Sequence, residues 1–156
     1  MSMQHNYQLD ITWTGNNGTG TSGYRDYERS YTVSGSNKVT IQSSSDPAFR
    51  GDKTKYNPEE LLLAALSGCH MLSYLHLCAT AGVIVIEYSD NATGVMVQSA
   101  DGKGRFETVT LHPNVIVSDA SMIQRANDFH KKASAFCFIA NSVNFSVLHE
   151  PQTSAK

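Results

Sequence analysis

Hydrophobic and polar residues alternate along the first part of the chain, which is typical of half-buried β-strands. The alternation is clearest at residues 7–13, recurs at 27–33, and a short third segment follows at 38–43. Stretches rich in Asn, Gly and Ser separate these segments and can form turns. The pattern therefore predicts a β-meander over residues 1–44.

A different pattern follows the polar loop at residues 43–56 and predicts a long central helix. Asn57 can cap this helix, Pro58 suits its first turn, and Glu60 stands three residues after the cap, as a capping box requires. We predict that the helix continues to Gly82. Because apolar residues occur nearly all around it, we expect it to be buried on several sides.

Residues 83–150 are predicted to form a β-β-α-β portion. It comprises a β-branched run at 83–86, a hairpin over 95–117, a helix over 119–139 and a strand over 143–147. The last six residues are polar and are interpreted as a solvated tail. The pattern indicates an α+β fold in which a single domain covers residues 1–156, with helices packed on antiparallel sheet.

Composition excludes several partners. The chain has 156 residues, 17% of them charged, and a net charge of -2, which gives no electrostatic footprint for nucleic acid. Five polar residues interrupt the apolar central helix, so we expect no membrane contact. The start has neither the basic nor the apolar region of a signal peptide, so we expect a cytoplasmic protein. The interrupting residues are Ser67, His70, Ser73, His76 and Thr80.

Three cysteines are the main candidates for chemistry, and they are too few for a disulfide-rich scaffold. Any of them could simply pack in a core, since free cysteine is among the most buried residue types. This interpretation is kept for Cys78, which lies on the opposite helix face from Cys69 and about 13.5 Å along the axis. The third, Cys137, is predicted near the end of the second helix.

A zinc site is disfavoured by distance. His76 follows Cys69 by seven residues and His130 precedes Cys137 by seven, so about 10.5 Å of helix separates each pair. Bonds to zinc of about 2.0–2.3 Å require closer ligands. We therefore expect no metal and no cofactor, and we interpret these histidines as packed or hydrogen-bonded groups at the edge of the core.

Several motifs together resemble the OsmC/Ohr family of organic hydroperoxide reductases, and the resemblance covers nearly the whole chain. The features closer to the OsmC branch are Trp13-x-Gly15 and Arg50-Gly51-Asp52. The resemblance implies an intertwined homodimer with antiparallel sheets around the long helix. The motifs shared with the whole family are Asn-Pro-Glu-Glu-Leu-Leu at 57–62, Ser67-Gly68-Cys69, and His130 followed by Phe-Cys-Phe-Ile-Ala at 136–140.

The resemblance implies a role for each site residue. Cys69 would be the peroxidatic thiolate and Cys137 the resolving thiol, so that the two form an intramolecular disulfide. Glu59 would orient an activating arginine. That arginine is Arg50 by analogy with the OsmC branch, or Arg25 by analogy with the Ohr branch, where it would also face the substrate.

A permanent cation suits this chemistry. An ordinary cysteine, with a pKa of about 8.5, is only about 3% thiolate at pH 7, and the thiolate is the nucleophile. Arginine stays charged, and its planar fork can serve a carboxylate and a thiolate together.

The resemblance also implies a substrate and a reductant. The substrate would be an organic hydroperoxide held between apolar walls at Met71, Phe136 and Phe138. The reductant would be an external dithiol, of the lipoyl type in Ohr-like members.

Helix geometry adds an expectation about assembly. Glu59 and Cys69 are ten residues apart, or about 15 Å along one straight helix, so they cannot meet within it. If both belong to one active site, as the resemblance implies, either Glu59 comes from another chain or the helix breaks. A two-fold dimer with crossed antiparallel central helices would bring Glu59 of one copy beside Cys69 of the other. We therefore expect a homodimer.

Two other functions stay open at this point. The same fold could serve as a non-catalytic dimeric binding module, in which an apolar pocket holds a small hydrophobic ligand and the thiols only pack. A cysteine hydrolase would need a histidine within hydrogen-bond reach of Cys69. The adjacent His70 points about 100° away on the helix and does not form such a pair by itself.

Overall fold

The structure, a computed structural model, describes residues 3–156. Strands and helices alternate along the chain, with three small sheets and one long helix, so the predicted α+β class is confirmed. The chain forms two compact units, and the boundary lies between Leu61 and Leu62.

The first unit contains a three-stranded antiparallel sheet. Its strands are β1 (Asp10–Trp13), β2 (Tyr31–Ser34) and β3 (Ile41–Ser43), in the order β1-β2-β3. All three are shorter than predicted, and the start of the predicted second strand makes only an isolated bridge between Asn16 and Tyr27. The meander topology predicted from alternation is therefore present, with long connecting loops.

The long helix α1 (Pro58–Thr80) begins with the predicted capping box. The Asn57 N–H donates to Glu60 Oε2 at 3.0 Å, and the Glu60 N–H donates to Asn57 Oδ1 at 2.8 Å. At the other end Gly82 adopts a left-handed φ of 74°. The Val83 N–H then reaches the Cys78 carbonyl at 2.9 Å, which completes a Schellman motif.

In a single chain, α1 is buried along one stripe rather than on several sides. The buried residues recur every four positions, and Leu72, on another face, is 66% exposed. By length and composition alone α1 could also cross a membrane, a test that the core helix of a soluble protein passes as well. The stripe consists of Leu66, His70, Tyr74 and Cys78.

The second unit contains two further three-stranded sheets. One has the order β4 (Val85–Asp90), β7 (Pro113–Val117), β9 (Gln152–Ala155), and the other has β5 (Thr93–Gln98), β6 (Gly104–Leu111), β8 (Ser146–His149). The outer strands β8 and β9 pair in parallel with β6 and β7. The expectation of purely antiparallel sheet is therefore wrong for these two pairs.

Two sequence-based expectations about these strands are corrected. The segment 106–117 is two strands, because Pro113 has no N–H to continue a ladder and the His112 N–H donates to the Asp90 carboxylate at 2.7 Å. The last six residues are not a solvated tail, since β9 lies within them and Lys156 donates to the Val117 carbonyl at 3.0 Å.

The second helix, α2 (Ile123–Phe136), is shorter at both ends than the predicted 119–139. Asp119 instead caps a 3-10 turn at Ala120–Met122 that leads into α2. At the other end Cys137 has φ -70° and ψ 108°, so it is the first residue beyond the helix. This extended conformation sets the direction of its side chain.

Two apolar clusters form the core of the second unit. The larger one joins the C-terminal half of α1 to β7 and α2 through Tyr74, Cys78, Val115 and Phe129. The smaller one joins Leu66 to Val109 and Leu111 of β6. Together they fix α1 against α2 and both sheets, and so position the two elements that carry Cys69 and Cys137.

Candidate active site

Cys69 and Cys137, which are 68 positions apart in the chain, are neighbours in the structure. Cys69 is half-buried on α1, whereas Cys137 is only 2% exposed. Burial, together with hydrogen bonding to the Cys69 thiol and repulsion from it, raises the pKa of Cys137 to about 11. Both are free thiols, and Cys69 lies close enough to Cys137 to act on its titration.

The position of the Cys137 sulfur is set by the turn that follows α2. Its Sγ accepts the Ala140 N–H at 3.4 Å, and the Asn141 N–H donates to the Cys137 carbonyl at 3.0 Å. These contacts depend on the 3-10 turn at Ala140–Ser142. Backbone contacts of this turn thus orient the Cys137 thiol.

Cys78 belongs to the core, as its position on α1 predicted. It packs in the larger apolar cluster, and burial raises the pKa of its thiol. Because it lies nine residues from Cys69 on the opposite face of α1, it serves as an internal control for thiol chemistry.

An apolar groove of about 410 Å³ lies against α1, where Leu77 is one of its lining residues, and neither Cys69 nor Cys137 lines it in the described part of the chain. Leu72, Ser73 and His76 line it, and they follow Cys69 by three, four and seven positions, so they share its face. Phe136 and Phe138, on either side of Cys137, complete the wall and are 62% and 71% exposed.

Two of the three predicted substrate-wall residues therefore line this groove. Those two are Phe136 and Phe138. The third, Met71, is half-buried and is not a lining residue of the groove within the part of the chain that the structure describes. It stands two positions after Cys69, which places it on a different face of α1.

Arg50, in the first unit, is held in an unusual backbone conformation. It ends a 3-10 turn at Pro47–Phe49 with a left-handed φ of 68°, and its guanidinium lies 6.0 Å from the ring centre of Tyr24. Gly51 follows because a Cβ there would meet the Ser45 carbonyl oxygen at 1.5 Å. The close approach of the Ser45 carbonyl therefore explains why glycine follows Arg50 in the Arg50-Gly51-Asp52 motif.

The other first-unit candidates are Arg25 and Glu59. Arg25 is exposed next to Tyr24. Glu59 is half-buried in the first turn of α1, and its neighbour Glu60, rather than Glu59, forms the capping box. Within residues 3–156 Glu59 forms no ion pair, so the structure leaves its carboxylate without a cation partner in one chain.

Arg29 is an ordered arginine that sequence reasoning missed. Its guanidinium stacks on Tyr24 and Tyr27 at 4.4 and 4.1 Å, and it donates to the carbonyls of the same two residues at 2.6 Å each. The signal in the sequence is the spacing, because Arg29 follows Tyr27 by two positions and Tyr24 by five. Arg29 therefore stabilises the loop that carries Arg25.

A buried histidine cluster contains His130, which the sequence predicted to be packed or hydrogen-bonded, together with His70 and His149, which it did not assign to such a cluster. His70 Nε2 and His130 Nδ1 are 3.0 Å apart, and the His130 ring stacks on Tyr74 at 4.1 Å. Burial, with repulsion from His149, lowers the pKa of His70 to about 3 and that of His130 to about 4. No group of histidine, cysteine or acidic side chains in residues 3–156 is arranged to hold a metal ion.

The sequence of the site region matches a known family. The model of the OsmC-like protein family matches residues 51–150, which include both thiols and all of α1 and α2. The chain belongs to the OsmC-like family. No functionally curated protein matches it significantly.

Solved structures place this OsmC-like chain among relatives of similar fold. An OsmC-like protein of unknown function from Vibrio cholerae is 30% identical, with a TM-score of 0.85 over 96% of this chain and 100% of that one. An organic hydroperoxide resistance protein from Elizabethkingia anophelis is 22% identical, with a TM-score of 0.68 over 99% and 100%. The organic hydroperoxide resistance protein OsmC from Legionella pneumophila is 15% identical, with a TM-score of 0.67 over 97% and 99%. The last two show the fold alone.

Proposed function

We propose that this OsmC-like protein is a thiol-dependent peroxidase that reduces organic hydroperoxides. The observation that carries the proposal is the pair of adjacent free thiols, Cys69 and Cys137, from opposite ends of the second unit. The apolar groove lined by Phe136 and Phe138, which flank Cys137 in the chain, supports an organic rather than an inorganic peroxide, because its walls can bury a hydrocarbon group.

The proposed reaction has three steps. The Cys69 thiolate attacks the terminal oxygen of the hydroperoxide, the O–O bond breaks, and the alkoxide leaves and takes a proton to become an alcohol. The Cys137 thiol then attacks the Cys69 sulfenic acid, which forms the disulfide and releases water. An external dithiol reduces this disulfide and becomes oxidised itself.

The two thiols differ in ways that suit these roles. Cys69 is half-buried, so part of its side chain is open to a hydroperoxide, whereas Cys137 is almost wholly buried. The raised pKa of Cys137, about 11, keeps it protonated at neutral pH, so it does not compete as the first nucleophile. We therefore assign the peroxidatic role to Cys69 and the resolving role to Cys137.

The proposal includes a cation for the Cys69 thiolate. Arg50 or Arg25 would supply it and Glu59 would orient it, with the carboxylate coming from a second copy of the chain because Glu59 and Cys69 are ten residues apart on one helix. Such a site requires the homodimer. Free thiols of this kind persist in a reducing compartment, which suits a cytoplasmic enzyme.

Single-cysteine variants test the assignment of roles. With cumene hydroperoxide and a dithiol reductant, Cys69→Ser should reduce peroxide consumption to the uncatalysed rate. Cys137→Ser should still consume one equivalent and then stop as a sulfenic acid, which a dimedone probe would trap. Cys78→Ser, the matched control, should keep full turnover. Unchanged turnover in Cys69→Ser would overturn the proposal.

Arginine variants test the cation. Replacing the activating arginine by methionine should slow alkylation of Cys69 by iodoacetamide at pH 7, because the thiolate is the reactive form and the cation that stabilises it is lost. We expect slower alkylation in only one of the two variants, Arg50→Met or Arg25→Met. The variant that keeps the wild-type rate then serves as the control. Equal alkylation rates in both variants and the wild type would show that neither arginine activates Cys69.

A non-catalytic binding module is the second candidate, and the same groove favours it. A volume of about 410 Å³ with mostly apolar walls can hold a small hydrophobic ligand without any chemistry. The two functions differ in one observable: a binder would retain all of its thiols after exposure to a hydroperoxide, whereas the peroxidase would lose two.

A further inference from the structure

A second groove, of about 400 Å³, lies between α2 and β8, and Pro151, in the segment that joins β8 to β9, also lines it. No thiol lines it in the part of the chain that the structure covers. Its polar wall contains Asn127, His130, Lys131, Ser134 and His149. This side-chain set has no part in the proposed peroxidase chemistry and requires its own explanation.

The polar wall carries donors and one permanent positive charge, and Asp90, which does not line the groove, acts electrostatically on His149. No aspartate or glutamate lines the groove among residues 3–156, and over the same residues Lys131 forms no ion pair. The Asn127 Oδ1 accepts the Thr153 hydroxyl at 2.6 Å, so the Nδ2 donor is the part of this amide left for a ligand. Lysine, amide and hydroxyl groups arranged in this way suit an anion.

The histidines behind the groove form a rigid wall. His130 is 3% exposed and shares a hydrogen bond of 3.0 Å with His70, and the rings of His70 and His149 lie 4.3 Å apart. His149 is half-buried, and neither of its ring nitrogens has a hydrogen-bond partner in the described chain. A neutral imidazole carries one N–H, so His149 can donate to a ligand in the groove.

The remaining wall is apolar and small. Val147, Leu148 and Pro151 supply it. A ligand that matches the whole groove therefore has one anionic end and a short hydrocarbon body. Because Lys131 is the one permanently charged lining residue, the site compensates a single negative charge, which favours a carboxylate over a phosphate dianion.

We propose that this groove binds a small aliphatic monocarboxylate, with Lys131, Ser134 and His149 at the carboxylate and the apolar strip around the hydrocarbon. The inference is independent of the peroxidase proposal, because it uses none of the thiol-site residues. A failure of one leaves the other intact.

Binding of 4-methylpentanoate to the reduced full-length protein tests the inference. In a titration followed by amide chemical shifts, we expect saturable shifts at residues 127–134 and 147–151. The uncharged 4-methylpentanamide should bind at least about tenfold more weakly, and inorganic phosphate should give no saturable shift at these residues. Equal binding of acid and amide, or no saturation up to about 10 mM, would overturn the inference.

Variants locate the site with a matched control. Lys131→Met and His149→Gln should each weaken binding of 4-methylpentanoate by about fivefold or more. Lys132→Met is the control, because Lys132 is the next residue on α2 and lies over the Phe129 ring at 5.4 Å, outside the groove. If Lys132→Met weakens binding as much as Lys131→Met, the weakening comes from the loss of any positive charge on α2, and the assigned site is wrong.

Discussion

At the residue scale, the histidine cluster shows how burial controls charge in the second unit. His70 and His130 are buried next to each other, and burial lowers the pKa of both far below the usual value for histidine. The folded protein therefore keeps both rings neutral at pH values where the unfolded chain would protonate them. Proton binding to the unfolded state then opposes folding in acid.

This cluster predicts an acid-dependent loss of stability. Both histidines contribute stability that is present above pH 6.5 and is lost as the pH falls towards about 4 and 3, the pKa values in the folded state. His130→Phe, which keeps a ring on Tyr74, should flatten the fall in the free energy of unfolding between pH 6.5 and 4. Urea titrations at several pH values measure this slope.

A surface histidine provides the control for that measurement. His5 is exposed, so His5→Gln should leave the slope unchanged. The same slope in the wild type and His130→Phe would mean that the buried ring does not control acid stability.

Individual residues were predictable where the cause is local. The Asn57 and Glu60 capping box was predicted because its three-residue spacing contains all the geometry it needs. The histidine cluster could not be predicted, since its members come from α1, α2 and β8 and meet only after folding. The adjacency of Cys69 and Cys137 was expected from the family resemblance, because 68 intervening residues carry no distance information.

At the element scale, the C-terminal strand β9 is the clearest departure from the sequence pattern. Its residues are mostly polar, so no hydrophobic alternation indicates a strand. It forms because β7 offers a free edge, to which β9 pairs in parallel from Asn114↔Gln152 to Val117↔Ala155. Parallel pairing of distant segments leaves no local signal, in contrast to a hairpin.

Removal of β9 should therefore destabilise the protein. A chain that ends at Glu150 loses the β7 pairing and the Thr153 to Asn127 hydrogen bond, and we expect a marked drop in the urea midpoint. Thr153→Val removes the side-chain bond alone and should cost about 1 kcal/mol. An unchanged midpoint in the shortened chain is the result that a solvated tail would give, and it would contradict the structure.

At the scale of the whole molecule, exposed apolar side chains bear on the proposed dimer. Leu72 on α1, Ile84 after it and Phe138 near Cys137 are 66%, 53% and 71% exposed in a single chain. Exposed apolar patches mark interfaces or ligand sites when they are large and contiguous. The proposed dimer would cover part of it and bring Glu59 of one copy towards Cys69 of the other.

Solution mass tests this assembly. Size exclusion with light scattering should give twice the chain mass of 17.0 kDa at micromolar concentration. Mixing Glu59→Gln with Cys69→Ser protein, after exchange of subunits, should restore part of the activity, because one site of the mixed dimer is then intact. A monomer with full peroxidase activity would show that Glu59 of a second copy is not required.

Cys69 and Cys137 are proposed to form a redox pair, which a thiol count after oxidation tests. Reduced protein is treated with one equivalent of cumene hydroperoxide, its remaining thiols are counted, and peptide mass spectrometry identifies any disulfide. The account predicts the loss of two thiols per chain, one Cys69–Cys137 disulfide and an unmodified Cys78. Retention of all three thiols, or a disulfide that includes Cys78, would contradict it.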